Sequence, residues 1–131
     1  MAESVEIVCD MTGAPDTGAE RSTQYRRLFT TALAGRERTD SGIRFRFHDA
    51  DGVEDWVRDL AERERSCCAF FTFTVTRAGG EVLLDGTVVD DDTARAVLDE
   101  FFSLPDTLLE GDPRHLDERF ERRGLTIRRA E

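Results

Sequence analysis

The sequence predicts an α+β protein, a two-layer sandwich with helices on one face of a four-stranded sheet. Three observations lead there. Apolar residues recur at helical spacing in some segments and alternate with polar residues in others, in the order β-α-β-α-β-β-α. Polar residues at alternate strand positions leave one sheet face to solvent, so the helices cover only the other. With 131 residues, the chain can bury one such core and not two.

Each element follows from its own pattern. Val5, Ile7 and Cys9 alternate with Glu6, Val8 and Asp10 as a first strand, followed by a Gly/Pro-containing loop over residues 12–18. Tyr25, Leu28, Phe29, Ala32 and Leu33 make one helical face that ends at Gly35. After a polar loop, Ile43, Phe45 and Phe47 alternate with Arg44, Arg46 and His48 as the second strand. A second helix starts near Asp51 or Gly52 and carries Val53, Trp56, Val57, Leu60 and Ala61 on its stripe. Phe71, Phe73 and Val75, then Val82, Leu84 and Val88, form a hairpin through Ala78-Gly79-Gly80. Asp90, Asp91 and Asp92 supply helix caps before Ala94, Val97, Leu98 and Phe101, and Leu104-Pro105 ends that third helix. The α+β domain is therefore expected over residues 1–104. Residues 105–131 form a C-terminal tail with one short helix, bracketed by Asp112, Pro113 and Gly124. That helix has only Leu116 and Phe120 to bury, on the domain or on a second subunit, so a homodimer is a candidate; Leu125 and Ile127 offer an edge strand.

Composition narrows the function. There are 28 acidic and 18 basic residues, a net charge of −10, and every basic residue is Arg. Such a chain repels a phosphate backbone and an anionic bilayer, so neither nucleic acid nor membrane is an expected partner. No apolar run approaches the roughly 20 residues of a membrane span. The acid excess suits a halophilic, salt-rich interior. No secretory leader is visible, which points to the cytoplasm, where thiols are kept reduced.

The chemistry concentrates in residues 62–73, ERERSCCAFFTF. Extending the second helix's stripe by seven from Leu60 and Ala61 lands on Cys67 and Cys68, so both thiols face the sheet. Cys9 shares the inward face of the first strand. Glu64 lies on the same stripe one turn before the pair, either as a ligand beside the sulfurs or at the stripe's edge reaching water. Neighbouring side chains on a helix diverge by roughly 100°, so Cys67 and Cys68 are poor partners for a disulfide and chelate poorly while helical. A site needs Cys9, Glu64, a local unwinding of the helix end, or a second chain. Position at a helix C-terminus, beside Glu64 and under aromatic cover from Trp56, Phe70, Phe71 and Phe73, favours neutral thiols over an activated nucleophile; Arg63 and Arg65 offset part of this. A soft ion displaces the thiol proton by binding sulfur strongly. There is no C-x-x-C pair for a closed zinc site, and no phosphate-loop, zinc-protease or hydrolase motif. His48 with Asp49 and Asp51 allows a hard-metal reading, with strand-end solvation as the plainer one.

The pattern Glu64-x-x-Cys67-Cys68-x-Phe70-Phe71-x-Phe73, with Cys9-x-Met11 upstream, resembles a group of short cytosolic proteins of GC-rich bacteria and halophilic archaea. They share an E-x-x-C-C-x-F-[LF]-x-F motif, and the similarity covers about residues 5–102. The resemblance implies that Glu64, Cys67, Cys68 and Cys9 belong together, in a group associated with heavy-metal handling, and it names no ion. The expected function is binding of a soft metal or metalloid ion (mercury, copper(I), zinc or arsenite) through these four residues, a binding role rather than an enzymatic one. Two alternatives stand beside it: an interaction domain with inert buried cysteines, and a thiol enzyme or redox sensor.

Overall fold

The computed structural model describes residues 7–111 and 116–128. The elements are β1 (Val8–Asp10), α1 (Gly18–Ala32), β2 (Leu33–Arg38), β3 (Ile43–His48), α2 (Val53–Cys67), β4 (Phe71–Ala78), β5 (Glu81–Val88), α3 (Asp92–Phe102), α4 (Leu104–Glu110), α5 (Leu116–Arg122) and β6 (Thr126–Arg128). The main sheet is antiparallel in the order β2-β3-β5-β4. Ile43, Phe45, Phe47, Phe71, Phe73, Val82 and Leu84 are buried on its inner face, beneath the helices. The outer face carries ion pairs instead, such as Arg44 Nε to Asp85 Oδ1 at 2.7 Å and Arg46 Nη1 to Glu81 Oε2 at 3.0 Å. The architecture is the two-layer α+β sandwich that the alternation predicts.

Capping explains the helix starts. Thr17 and Glu20 form a reciprocal capping box at α1, and the Asp91 side chain accepts from Ala94 N at 2.9 Å at α3. The hairpin between β4 and β5 turns at Gly79 and Gly80, whose φ angles of 59° and 78° belong to the left-handed region that glycine tolerates.

Two strands differ from the sequence expectation. The fourth strand of the sheet is β2, which follows α1 directly, where a polar loop was expected. Its pairing with β3 sets Arg36 opposite Phe45 and Arg38 opposite Ile43, so both arginines stand on the inner face. Their guanidinium carbons lie 5.1 and 4.6 Å from the centre of the Phe102 ring, and the heads reach Asp106 and Asp99. The long apolar stems and cation–π stacking substitute for an aliphatic face, and this hides the strand from an apolar-periodicity count. β1, in turn, lies outside the main sheet and pairs in parallel with β6, Cys9 opposite Ile127. Val5 lies outside the described residues, as do Asp112, Pro113 and His115.

The chain beyond residue 104 contributes to the core rather than only covering it. Leu104, Leu108, Leu116 and Leu125 are all buried; α3 ends at Phe102, just before Leu104-Pro105 as expected, and Pro105 then opens a further short helix, α4, that the sequence expectation does not include. Glu100 of α3, 3% exposed, accepts from Arg119 Nε at 3.1 Å and Arg123 Nε at 3.3 Å. This clip joins the C-terminal segment to α3. Replacing Glu100 by Gln is expected to cost about 1 kcal/mol, because both arginines are half-exposed and regain water. Amide exchange should accelerate over residues 116–128 while β3 and β5 stay protected; uniform acceleration would contradict a local clip.

Candidate functional site at the paired cysteines

α2 keeps its phase to the last turn. Val57, Leu60 and Ala61 are buried, and Cys67 and Cys68 are 6% and 3% exposed. The helix stops at Cys67. Cys68 takes φ −119° and ψ 80°, while its N–H still bonds the Glu64 carbonyl at 2.8 Å. This single non-helical residue brings the two sulfurs to 3.7 Å, where a continued helix would splay them.

Cys9 joins them from β1. The sequence expectation was three reduced thiols; the structure pairs Cys9 with Cys68 in a disulfide and leaves Cys67 as the free, buried thiol. The bond spans 59 positions, and restricting the unfolded chain over such a loop is worth on the order of 4 kcal/mol relative to the reduced protein. In this oxidised form the sulfurs of Cys9 and Cys68 are unavailable as thiolates. Their positions nonetheless put all three sulfurs at one point.

Glu64 takes the inward orientation. Its side chain is 13% exposed; the Tyr25 hydroxyl donates to Oε1 at 3.2 Å, and Oε2 lies 3.8 Å from Cys68 Sγ. One carboxylate oxygen of Glu64 and the sulfurs of Cys67 and Cys68 all fall within 4.8 Å of one another, a metal-compatible grouping. Neither Arg63 nor Arg65 reaches a sulfur. Arg63 binds Asp16 Oδ2 at 2.7 Å, and Arg65 pairs with Glu62.

The cation at the site is Arg21, which sequence reasoning missed. Only 4% exposed, it donates from Nη1 to Cys67 Sγ at 3.2 Å and approaches Glu64 Oε1 at 3.3 Å. Its other edge is held by Asp16 in a fork, Nε to Oδ2 at 3.0 Å and Nη2 to Oδ1 at 2.6 Å. A signal was present: Arg21 sits one turn before Tyr25 on the buried stripe of α1, as Glu64 sits one turn before the cysteines on α2. A charge on an apolar stripe marks a partner across the core.

The electrostatics favour protonated sulfur. Burial and the Glu64 carboxylate push the Cys67 thiol above its ordinary pKa, with Arg21 offsetting part of the shift. Burial raises Glu64 as well, against the pull of Arg21 and Tyr25. Tyr25, desolvated beside Glu64, is held well above the usual phenol value and remains a donor. Burial acts against the Arg21 charge, yet Asp16, Glu64 and Cys67 together raise its pKa, so it stays a cation. Cys67 therefore lacks the depressed pKa of an activated thiolate.

A cleft of about 370 Å³ opens against the cluster, bordered by Cys9, Cys67, Cys68, Glu64 and Arg21. Of the four aromatics expected around the thiols, Phe71 lines it. Phe70 and Phe73 are buried in the core, and Trp56 is half-buried against it. Elsewhere, Asp49 is taken by Arg77 at 2.6 Å, which accounts for one of the three residues of the hard-metal reading.

No family model, curated protein or solved structure matches the chain. The functional reading therefore rests on the site itself.

Asp16 holds the buried Arg21 guanidinium and the partly buried Arg63, so Asp16→Asn is expected to destabilise the fold by about 3–5 kcal/mol. Burial works against its charge, but Arg21 and Arg63 bring its pKa below the ordinary 3.8. A carboxylate with a depressed folded-state pKa stabilises fully above its unfolded value and loses that contribution as pH falls through the folded one. Urea midpoints of the oxidised protein should thus decline below about pH 4, and Asp16→Asn should flatten that decline. An equal decline in both proteins would remove Asp16 as its source.

Proposed function

We propose that the chain, in its reduced state, binds a soft metal or metalloid ion through Cys67 and Cys68, with Cys9 and Glu64 completing the donor set. The observation that carries this reading is the 3.7 Å separation of the Cys67 and Cys68 sulfurs at the unwound end of α2. Two thiolates each about 2.3 Å from a tetrahedral ion stand about 3.8 Å apart. Three sulfurs and one carboxylate favour a thiophilic ion of low coordination over a hard oxygen-seeking cation. The raised thiol pKa is no obstacle, because ion binding releases the proton. A reducing cytoplasm would supply the thiol form of Cys9 and Cys68. The acidic surface, with its screening in concentrated salt, is consistent with a halophilic cell.

Native mass spectrometry of the phosphine-reduced protein with Hg(II), Cu(I), Zn(II) and arsenite tests this. Wild type should take up one soft ion, and Cys67→Ser/Cys68→Ser should take up none; equal uptake by both discards the site. The oxidised protein should bind at least about a hundredfold more weakly, having lost two of three sulfur donors, and a matching affinity in both redox states would show that Cys9 and Cys68 are not ligands. Tyr25 orients Glu64 without touching the ion, so Tyr25→Phe should weaken uptake about tenfold while leaving the stoichiometry at one. Unchanged affinity in that variant would show that Tyr25 does not orient a Glu64 ligand.

The Cys9–Cys68 disulfide itself favours a second reading, a redox-responsive domain in which Cys67 stands 3.7 Å from the bonded sulfur. Equilibration against glutathione buffers separates the two. A disulfide fully reduced at cytosolic poise leaves the ion-binding reading, and one that titrates within that range supports the redox reading.

A further inference from the structure

The cleft is larger and more apolar than an ion alone requires. Besides the sulfurs it is lined by the loop after β1, by α1 and α3, and by the C-terminal segment, with Met11, Val97, Leu104, Leu116, Phe120 and Ile127 among its apolar side chains. Its volume of about 370 Å³ lies in the range of small-molecule sites. A single water occupies about 30 Å³ of liquid, so an ion seated among its ligands would leave most of this space to solvent against apolar walls. Of the charged residues that line it, Asp16, Arg21 and Glu64 engage one another beside the sulfurs, and Glu20 and Asp117 are the others. The walls leading away from the sulfurs are side chains that gain from apolar contact.

We infer that the natural ligand is not a bare ion but a trivalent soft element carrying one apolar carbon substituent, such as an aryl or branched alkyl arsenical. This inference rests on the proposed sulfur site. Cys67 and Cys68 hold the element, and the substituent lies along the Met11–Ile127 side of the cleft. The binding step balances simply. An organoarsine oxide, R–As=O, reacts with two thiols to give R–As(S–Cys)2 and one water. Two As–S bonds form, the As=O bond is lost, the oxygen leaves with both thiol protons, and arsenic remains trivalent. Cys68 must first be a thiol: a phosphine and one water reduce the Cys9–Cys68 disulfide, the water's oxygen going to the phosphine oxide and its two protons to the two thiols. The carbon substituent remains on arsenic and contributes affinity in proportion to the apolar surface it loses to the cleft.

The test compares phenylarsine oxide, methylarsine oxide and arsenite on the fully reduced protein, each in competition with dithiothreitol as a cleft-free dithiol. Wild type is expected to prefer phenyl over methyl by about tenfold or more beyond the ratio dithiothreitol shows. Met11→Trp, which fills the cleft from a half-buried position, is expected to abolish that excess while retaining arsenite. Ile127→Trp, from the β6 side, is the second filling variant should Met11→Trp fail to fold. A phenyl-to-methyl ratio equal to that of dithiothreitol, or one unchanged by both filling variants, overturns the inference and leaves the ion site standing. Absence of arsenite binding as well overturns both.

Discussion

A buried chain of charge, Asp16 to Arg21 to Glu64, fixes everything of chemical interest in this protein. Arg21 comes from the first turn of α1, and Glu64 comes from the last turns of α2. Between them the guanidinium spans the gap that would otherwise separate the two helices at their sulfur-bearing end. A cation so deeply buried is tolerable because each edge of its plane finds a carboxylate, and the carboxylates are satisfied in turn by Arg21 together with Arg63 at Asp16 and Tyr25 at Glu64. Remaining donor capacity on Nη1 goes to the Cys67 sulfur. The same contacts that satisfy Arg21 therefore position the thiol and the carboxylate next to it.

Chemical character follows from this arrangement. An isolated cation 3.2 Å from a thiol would draw it toward thiolate, yet here the cation is shared with two carboxylates and the sulfur is buried. The net effect on Cys67 is upward. A buried thiol whose pKa is raised lacks the depressed pKa of an activated nucleophile. The disulfide adds a condition of its own, since Cys9 and Cys68 carry thiols only after reduction.

The disulfide also has a structural consequence. It joins β1 to the junction of α2 and β4, and β1 in turn is the partner of β6. Through this short parallel pair the C-terminal segment is tied to the sulfur cluster, and its side chains become one wall of the cleft. A tail that looks thin in apolar residues acquires its place by closing a site, with Leu116 and Leu125 buried and Glu100 clipping α5 to α3.

Periodicity along the chain determined the layer architecture, the inward direction of Cys67 and Cys68, and the presence of Glu64 on their stripe. Each depends on side-chain direction within one element, which local geometry dictates. β2 escaped because Arg36 and Arg38 cover Phe102 with their guanidinium groups, and a hydrophobic pattern does not register an arginine that packs on an aromatic ring. The pairing of β1 with β6, the choice of Arg21 as the cation, the Cys9–Cys68 bond and the approach of two adjacent sulfurs are all matters of tertiary structure. They join residues dozens of positions apart or turn on one residue leaving the helix at Cys68, and no local spacing encodes which distant surface will meet a given face.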